Sequence, residues 1–176
     1  MIPDLFADSG NGGQHISLPG ADLLYFPAFF APAEADSLLH ELRHNVAWQQ
    51  GVITVYGQQH REPRLSAWYG DAGCGYTYSG LYHDPLPWIP QLTAIKQRIE
   101  THAGGMVFNS VLANLYRDGA DGVAWHSDDE PELGPEPVIG SVTFGQPRPF
   151  QLRHCSDRSL RYALTGVADS GGVGMG

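Results

Sequence analysis

The sequence predicts an α+β domain in which two helices precede a run of short strands. The chain has 176 residues, the size of one ordinary domain. Its 22 glycines and 13 prolines are spread along the chain, which favours many strands and turns over a helical bundle. Helices followed by strands predict an antiparallel sandwich or jelly roll with the N-terminal helices packed on one side.

The elements before Gly105 follow from local patterns. The first helix has Pro32 near its start and an apolar stripe that includes Leu39 and Leu42. Gly57 divides two β-rich arms, which indicates a hairpin. In chain order we predict a flexible lead-in over 1–20, a strand over 23–26, a helix over 32–44, a hairpin over 52–70 and a helix over 90–103.

After Gly105 the pattern changes to apolar segments separated by Gly, Pro and Asp. The segments MVFNSVLANLYR, VIGSVTFG, PFQLRH and LRYALTG are predicted to be successive strands. Residues 166–176 are small and Gly-rich, which predicts a tail that adds little to a core. The folded domain is therefore predicted over 21–165.

Charge and cysteine content restrict the function classes. The formal net charge is −9, which taken alone argues against a nucleic-acid binder, but seven acids lie between 118 and 136 and four arginines between 148 and 161. A solvated acidic loop beside a solvated basic strand explains the same clusters. Cys74 and Cys155 form no metal or redox motif, so a reducing, cytoplasmic setting is expected. No apolar run is long enough for a membrane span, so no membrane partner is expected.

The segment WHSDDE carries the strongest chemical signal. Residues i and i+2 of an extended strand face the same way, so His126 and Asp128 would present a nitrogen and a carboxylate to one point. With a second histidine they would form the 2-His-1-carboxylate triad of Fe(II) oxygenases. An isolated His-x-Asp also occurs by chance, as a surface histidine in an acidic loop, and a zinc hydrolase site is a further alternative.

The surrounding residues resemble the AlkB family of Fe(II)/2-oxoglutarate-dependent dioxygenases, especially its branch that repairs alkylated nucleic acid. The resemblance is carried by N-x-Y (Asn114, Tyr116), by D-G-x-D-x-x-x-x-H-x-D-D-E, by SVTFG and by PRLSAWYGDAGCGYTYSG, and it covers about residues 23–164. It implies a double-stranded β-helix, Fe(II) and 2-oxoglutarate as cofactors, and oxidative dealkylation of N-alkylated bases with O2. The implied partners are alkylated DNA and also RNA, and the chain is expected to be a monomer.

The resemblance also implies a role for individual residues. His126 and Asp128 would be catalytic iron ligands, Asn114 and Tyr116 would bind 2-oxoglutarate, and Asp129 would contact the flipped base. Tyr76, Thr77, Tyr78 and Ser79 would form a lid over that base, and Tyr56, Gly57 and Gln58 match the position of an aromatic wedge that enters the duplex. Packing, turn or surface roles are the alternatives, as they are for Arg64 and Arg153 as phosphate or substrate contacts.

The C-terminal part departs from the family pattern. The family has a second histidine ligand and an arginine that binds 2-oxoglutarate downstream of His-x-Asp, whereas His154 is the one histidine after Asp128 and no arginine follows Arg161. We therefore expect a truncated or frameshifted family member that lacks the last strands of the jelly roll. The alternative function is a catalytically impaired member that keeps the fold or nucleic-acid binding only.

Overall fold

The computed structural model describes residues 13–78, 81–127, 134, 137–165 and 173–175. For Val55, Thr165 and the residues at 76–78, 81–83 and 173–175, only the backbone is considered. The elements in chain order are β1 Gln14–Leu18, β2 Ala21–Tyr25, α1 Pro32–Asn45, β3 Val52–Val55, β4 Gln58–Arg61, β5 Leu65–Gly70, β6 Tyr76–Tyr78, β7 Leu81–His83, α2 Pro90–Glu100, β8 Ser110–Leu115, β9 Val142–Phe144, β10 Pro149–Arg153, β11 Arg161–Thr165 and β12 Val173–Met175.

The strands are organised around one four-stranded sheet. Its order is β5-β8-β12-β9, and all three neighbouring pairs are antiparallel. The remaining strands of the described residues form four two-stranded ribbons, β1-β2, β3-β4, β6-β7 and β10-β11. An antiparallel bridge between Gln49 and Ser66 joins the segment that precedes β3 to the edge strand β5 of the sheet.

Both helices contribute to the core against one face of this sheet. Each begins with a proline in its first turn, where the missing N–H has no intrahelical partner to lose. The largest fully buried side chains are Leu42 of α1, Leu92 and Ile95 of α2 and Phe144 of β9. Burying a leucine or phenylalanine side chain contributes roughly 1.5–3 kcal/mol, so this contact is a main source of stability. The prediction of helices on one side of the strands is confirmed.

Alternation along the strands separates this core face from a second face. Ala67 of β5 and Ala113 of β8 are paired and buried in the core. Their neighbours Ser66 and Asn114 are paired one position further and therefore face away from the helices. Gly174 of β12 continues the row next to Asn114. Asn114, the asparagine of the N-x-Y motif, therefore lies on the second face of the sheet, away from the helices.

Most predicted elements are confirmed, with shifted ends. The helix predicted over 32–44 is α1, and the helix predicted over 90–103 ends at Glu100 and continues as turns to Gly105. The hairpin around Gly57 and the four strands predicted after Gly105 are present, the latter as β8, β9, β10 and β11. Neither helix in the described part of the chain has the length and apolarity to cross a membrane.

Two segments predicted to be irregular contain strands instead. Gln14–Leu18, inside the predicted lead-in, pairs with β2, because Gly20 adopts a positive φ of 79° and reverses the chain. Val173–Met175, inside the predicted tail, pairs with β8 on one side and β9 on the other. Backbone hydrogen bonds to two available strand edges explain why composition alone did not indicate β12.

Candidate functional site

A tightly bonded turn leads from β8 to His126. Asp121 is buried and accepts hydrogen bonds from Nε and Nη2 of Arg117, at 2.7 and 2.9 Å, and from the Arg117 backbone N–H. These bonds lower the pKa of the Asp121 carboxyl to about 2. Asp118 accepts a bond from the Ala120 N–H at 2.8 Å. The D-G-x-D motif therefore fixes the backbone of this turn.

Arg148 holds the same turn from the start of the β10-β11 ribbon. Its guanidinium donates to the backbone carbonyls of Asp118 and Asp121. It also lies over the Tyr116 ring, 4.5 Å from its centroid. Acidic and basic clusters that are separate in the sequence are thus adjacent in the structure, and Arg148 is not simply a solvated cation.

His126 lies in irregular backbone, not in a strand. The prediction of an extended strand here is wrong, because residues 121–127 pair with no neighbouring strand in the described part of the chain. Nδ1 of His126 donates to the Ala124 carbonyl at 2.9 Å, so the neutral ring carries its lone pair on Nε2. A backbone carbonyl on one ring nitrogen is the usual support for a metal-ligating histidine.

Two contacts attach the His126 segment to the end of β10. The Arg153 guanidinium lies over the Trp125 ring, 4.4 Å from its centroid. Ser127 Oγ lies 3.7 Å from Cys155 Sγ. The residues on both sides of His126 are therefore held by the β10-β11 ribbon, and Arg153, predicted to contact phosphate or substrate, contacts Trp125.

Asn114 and Tyr116 lie at the opposite end of the turn. Asn114 is buried on the sheet face away from the helices, and its Oδ1 has no hydrogen-bond partner among the described residues. A buried amide oxygen without a partner costs about 1–3 kcal/mol, so a polar ligand at this position would be favourable. Tyr116 follows the last residue of β8 and is half-buried beneath Arg148.

The β3-β4 hairpin presents Tyr56 to solvent. The two-residue turn is formed by Tyr56 and Gly57, with φ angles of 50° and 78°, which is the geometry of a type I′ hairpin turn. Tyr56 is fully exposed, and Gln58 and the rest of β4 are exposed as well. A tyrosine at positive φ is strained, and the described contacts give it no packing in return.

The base of the hairpin is a buried ion pair. Arg64 Nη2 lies 3.2 Å from Glu62 Oε1, and both side chains are largely buried. Gly51 leaves room for this pair, since an added Cβ would clash with Glu62 Oε2. The Gly122 N–H donates to the Pro63 carbonyl at 2.9 Å. The hairpin base is therefore bonded directly to the turn that leads to His126.

The Y-G-D part of the predicted recognition segment has a structural role. Tyr69 is buried and its hydroxyl accepts from the Ala47 N–H at 2.9 Å, while Asp71 accepts from Trp88 Nε1 at 2.8 Å. A Cβ on Gly70 would lie 2.9 Å from the Asn109 carbonyl oxygen, so the chains approach closely there. These contacts fix the end of β5 and the residue that follows it.

The predicted lid is described in part. Tyr76, Thr77 and Tyr78 form β6, which pairs with β7. Ser79 lies outside the described residues, as do the predicted ligand Asp128 and the predicted base contact Asp129. Within the described ranges, no group of three histidine, cysteine or carboxylate side chains is placed to hold a metal. The residues that can be tested fit the predicted cofactors: His126 has the tautomer of a ligand, and Asn114 has an unpartnered polar atom.

The chain belongs to the 2OG-Fe(II) oxygenase superfamily, whose family model matches residues 22–165. The motif-based prediction of the family is thereby confirmed, together with Fe(II) and 2-oxoglutarate as its cofactors. The family also implies a jelly roll, of which the described strands show one four-stranded sheet and ribbons.

Curated relatives agree with this assignment. The chain is 43% identical to human DNA oxidative demethylase ALKBH2 over 159 residues, which cover 85% of this chain and 60% of the relative. It is 46% identical to rat alpha-ketoglutarate-dependent dioxygenase alkB homolog 3 over 129 residues, covering 73% of this chain and 43% of the relative. Arabidopsis thaliana ALKBH2 is 34% identical over 155 residues, covering 86% and 49%. The chain thus spans less than two thirds of the length of these relatives.

Sequence reasoning missed the contacts that support the site. The pairing of Arg117 with Asp121 could have been found, since an i,i+4 spacing of opposite charges is a local signal. The contacts of Arg148 with the turn and of Arg153 with Trp125 join residues 27 to 30 positions apart and have no local signature.

Proposed function

We propose that this chain removes alkyl groups oxidatively from N-alkylated bases in DNA, and also in RNA, with Fe(II), 2-oxoglutarate and O2. The observation that carries the proposal is the family match over 22–165, a range that contains every residue assigned to the site. Two of the relatives reported above are named DNA oxidative demethylases. An N-alkyl group needs an oxidant for its removal, and bound iron with 2-oxoglutarate supplies that chemistry.

His126 and Asp128 are proposed as iron ligands. The bond from Nδ1 to the Ala124 carbonyl supports ligation through Nε2, and the bonded turn at Asp121 holds the segment in place. Asn114 and Tyr116 are proposed to bind 2-oxoglutarate. The unpartnered Oδ1 of Asn114 supports a polar ligand there.

Tyr56, Gly57 and Gln58 are proposed to contact the duplex where a base is flipped. The support is a fully exposed tyrosine held at positive φ by a two-residue turn. Aromatic rings stack on bases irrespective of sequence, so such a side chain can replace a displaced base. Tyr76, Thr77, Tyr78 and Ser79 are proposed to cover the flipped base, and Asp129 to accept a hydrogen bond from it.

The proposed setting is the reducing cytoplasm, with the chain acting as a monomer in a jelly-roll fold. Free thiols at Cys74 and Cys155 support a reducing compartment. The proposed domain extends over 21–165.

A second candidate is a family member that binds nucleic acid without turnover. It is favoured by the hydrogen bonds of His154, the one histidine after His126 in the part of the chain that the structure describes. Nδ1 of His154 accepts from the Asp157 N–H at 3.1 Å, so the neutral ring carries its proton on Nε2 and that nitrogen cannot ligate a metal.

One experiment tests both candidates. The full chain is incubated with Fe(II), 2-oxoglutarate, O2 and oligonucleotides containing 1-methyladenine or 3-methylcytosine, and succinate, formaldehyde and unmodified base are measured. We expect turnover that His126→Ala abolishes and that His40→Gln, an exposed histidine on α1, retains. Salt-dependent oligonucleotide binding without turnover would favour the second candidate. Neither turnover nor binding would refute both.

A further inference from the structure

Helix α1 carries two exposed histidines that the proposed dealkylation does not use. They belong to the segment His40-Glu41-Leu42-Arg43-His44, an H-E-x-x-H sequence that lies entirely within Pro32–Asn45. Residues i and i+4 of a helix lie on one face, one turn apart, and this spacing lets two imidazoles bind one metal ion. The two rings are in contact, with centroids 4.4 Å apart and planes inclined by 42°.

The hydrogen bonding of His44 prepares it for ligation. Its Nδ1 donates to the backbone carbonyl of His40 at 2.7 Å. The neutral ring therefore keeps its lone pair on Nε2, and the residue as a whole is exposed. A carbonyl that holds one ring nitrogen in this way fixes the tautomer and the orientation of the ring.

Glu41 and Leu42, which lie between the two histidines, make structural contacts and are not available to bind a metal. Glu41 accepts a hydrogen bond from Gln91 Nε2 of α2 at 2.9 Å, so its carboxylate joins the two helices. Leu42 is fully buried in the core. In the part of the chain that the structure describes, no third histidine, cysteine or carboxylate completes a metal cluster. Water would therefore fill the remaining coordination positions, and the site differs from a hydrolytic zinc centre, in which the glutamate acts as base.

We propose that His40 and His44 form a surface site for a divalent transition-metal ion. Two imidazoles with water ligands suit Cu²⁺, Ni²⁺ and Zn²⁺, and the expected order of affinity places Cu²⁺ ahead of the other two. The site shares no residue with the proposed iron site at His126. A bound ion would cross-link one turn of α1, and because the unfolded chain does not hold the two rings together, binding would stabilise the fold.

The proposal is tested by calorimetric titration of the full chain with Ni²⁺ alone at neutral pH. A His126→Gln background removes competition from the proposed iron site. We expect one binding event there, and an increase of a few degrees in the thermal midpoint at saturating Ni²⁺. His40→Gln and His44→Gln should each weaken binding at least tenfold, while circular dichroism should show the helix intact because glutamine is a good helix former.

Two matched variants complete the test. Glu41→Gln, inside the motif, and His60→Gln, an exposed histidine on β4, should leave Ni²⁺ affinity unchanged. The proposal is overturned if both α1 histidine variants retain wild-type affinity, if Glu41→Gln weakens binding as much as they do, or if no Ni²⁺ binds up to ~1 mM, a weak limit for a specific site. None of these outcomes depends on dealkylation activity.

Discussion

Replacing Asp121 by asparagine should destabilise the turn that carries His126. The carboxylate accepts three bonds from Arg117, and its pKa is lowered from 3.8 to about 2. One pKa unit corresponds to about 1.4 kcal/mol, which would give about 2.5 kcal/mol for a fully buried pair. Because the Arg117 side chain is 42% exposed, solvent screening reduces the expected loss in Asp121→Asn to about 1–2 kcal/mol.

The pH dependence of this loss gives a sharper test. A carboxyl whose pKa is lower in the folded state than in the unfolded state stabilises the fold above the unfolded value. That stabilisation is lost as the pH falls from about 4 toward 2, the pKa of folded Asp121. The difference in unfolding free energy between wild type and Asp121→Asn should therefore fall by roughly half between pH 6 and pH 3.

Urea denaturation at both pH values measures this difference. Asp84→Asn is the control, since Asp84 is an exposed aspartate outside the turn. A difference that stays the same at pH 3 and pH 6 would show that the Asp121 charge is not responsible. A loss below about 0.5 kcal/mol would show that the pair behaves as an ordinary surface ion pair.

Three further substitutions examine other parts of the structure. Leu42→Ala removes a fully buried side chain and should lower the unfolding free energy by about 2–5 kcal/mol in urea denaturation; a loss under about 1 kcal/mol would contradict the core assignment. Tyr56→Asn places a residue that tolerates positive φ at the backbone angle of 50°, and should raise the unfolding free energy by up to about 1 kcal/mol. The same substitution should weaken duplex binding measured by fluorescence anisotropy. A less stable variant would argue against strain at Tyr56. Arg153→Gln removes the cation over Trp125 and should change Trp125 fluorescence, with Trp125→Phe as the reference; identical spectra would contradict the contact.

The elements that could be predicted are those with a local physical signal. The proline start and leucine stripe of α1, and the glycine that reverses the hairpin, specify their structures within a few residues. β12 is different, because three residues became a strand through pairing with β8 and β9, which are distant in sequence. The same reason applies to His126, which alternation with Asp128 placed on an extended strand: alternation alone supplies no partner strand, and the backbone at His126 joins no strand among the described residues.

At the site, the sequence motif singled out individual residues but not the contacts that hold them. The motif indicated His126 and Asn114, and the structure gives the first a ligand tautomer and the second an unpartnered amide oxygen. It did not indicate that Arg148 and Arg153 would attach the His126 segment to the β10-β11 ribbon. Such contacts depend on tertiary proximity, which residue spacing does not encode.

The exposure of the β3-β4 hairpin has an evolutionary consequence. Every residue of β4 is exposed, and no described side chain of residues 52–54 or 56–61 belongs to the buried core. Surface substitutions of this kind usually change stability by less than about 0.5 kcal/mol. The sequence of the hairpin can therefore change, while the buried ion pair of Glu62 and Arg64 at its base keeps the hairpin in the same orientation. Substitutions that alter the proposed duplex contact of this arm therefore leave the fold well away from its stability threshold.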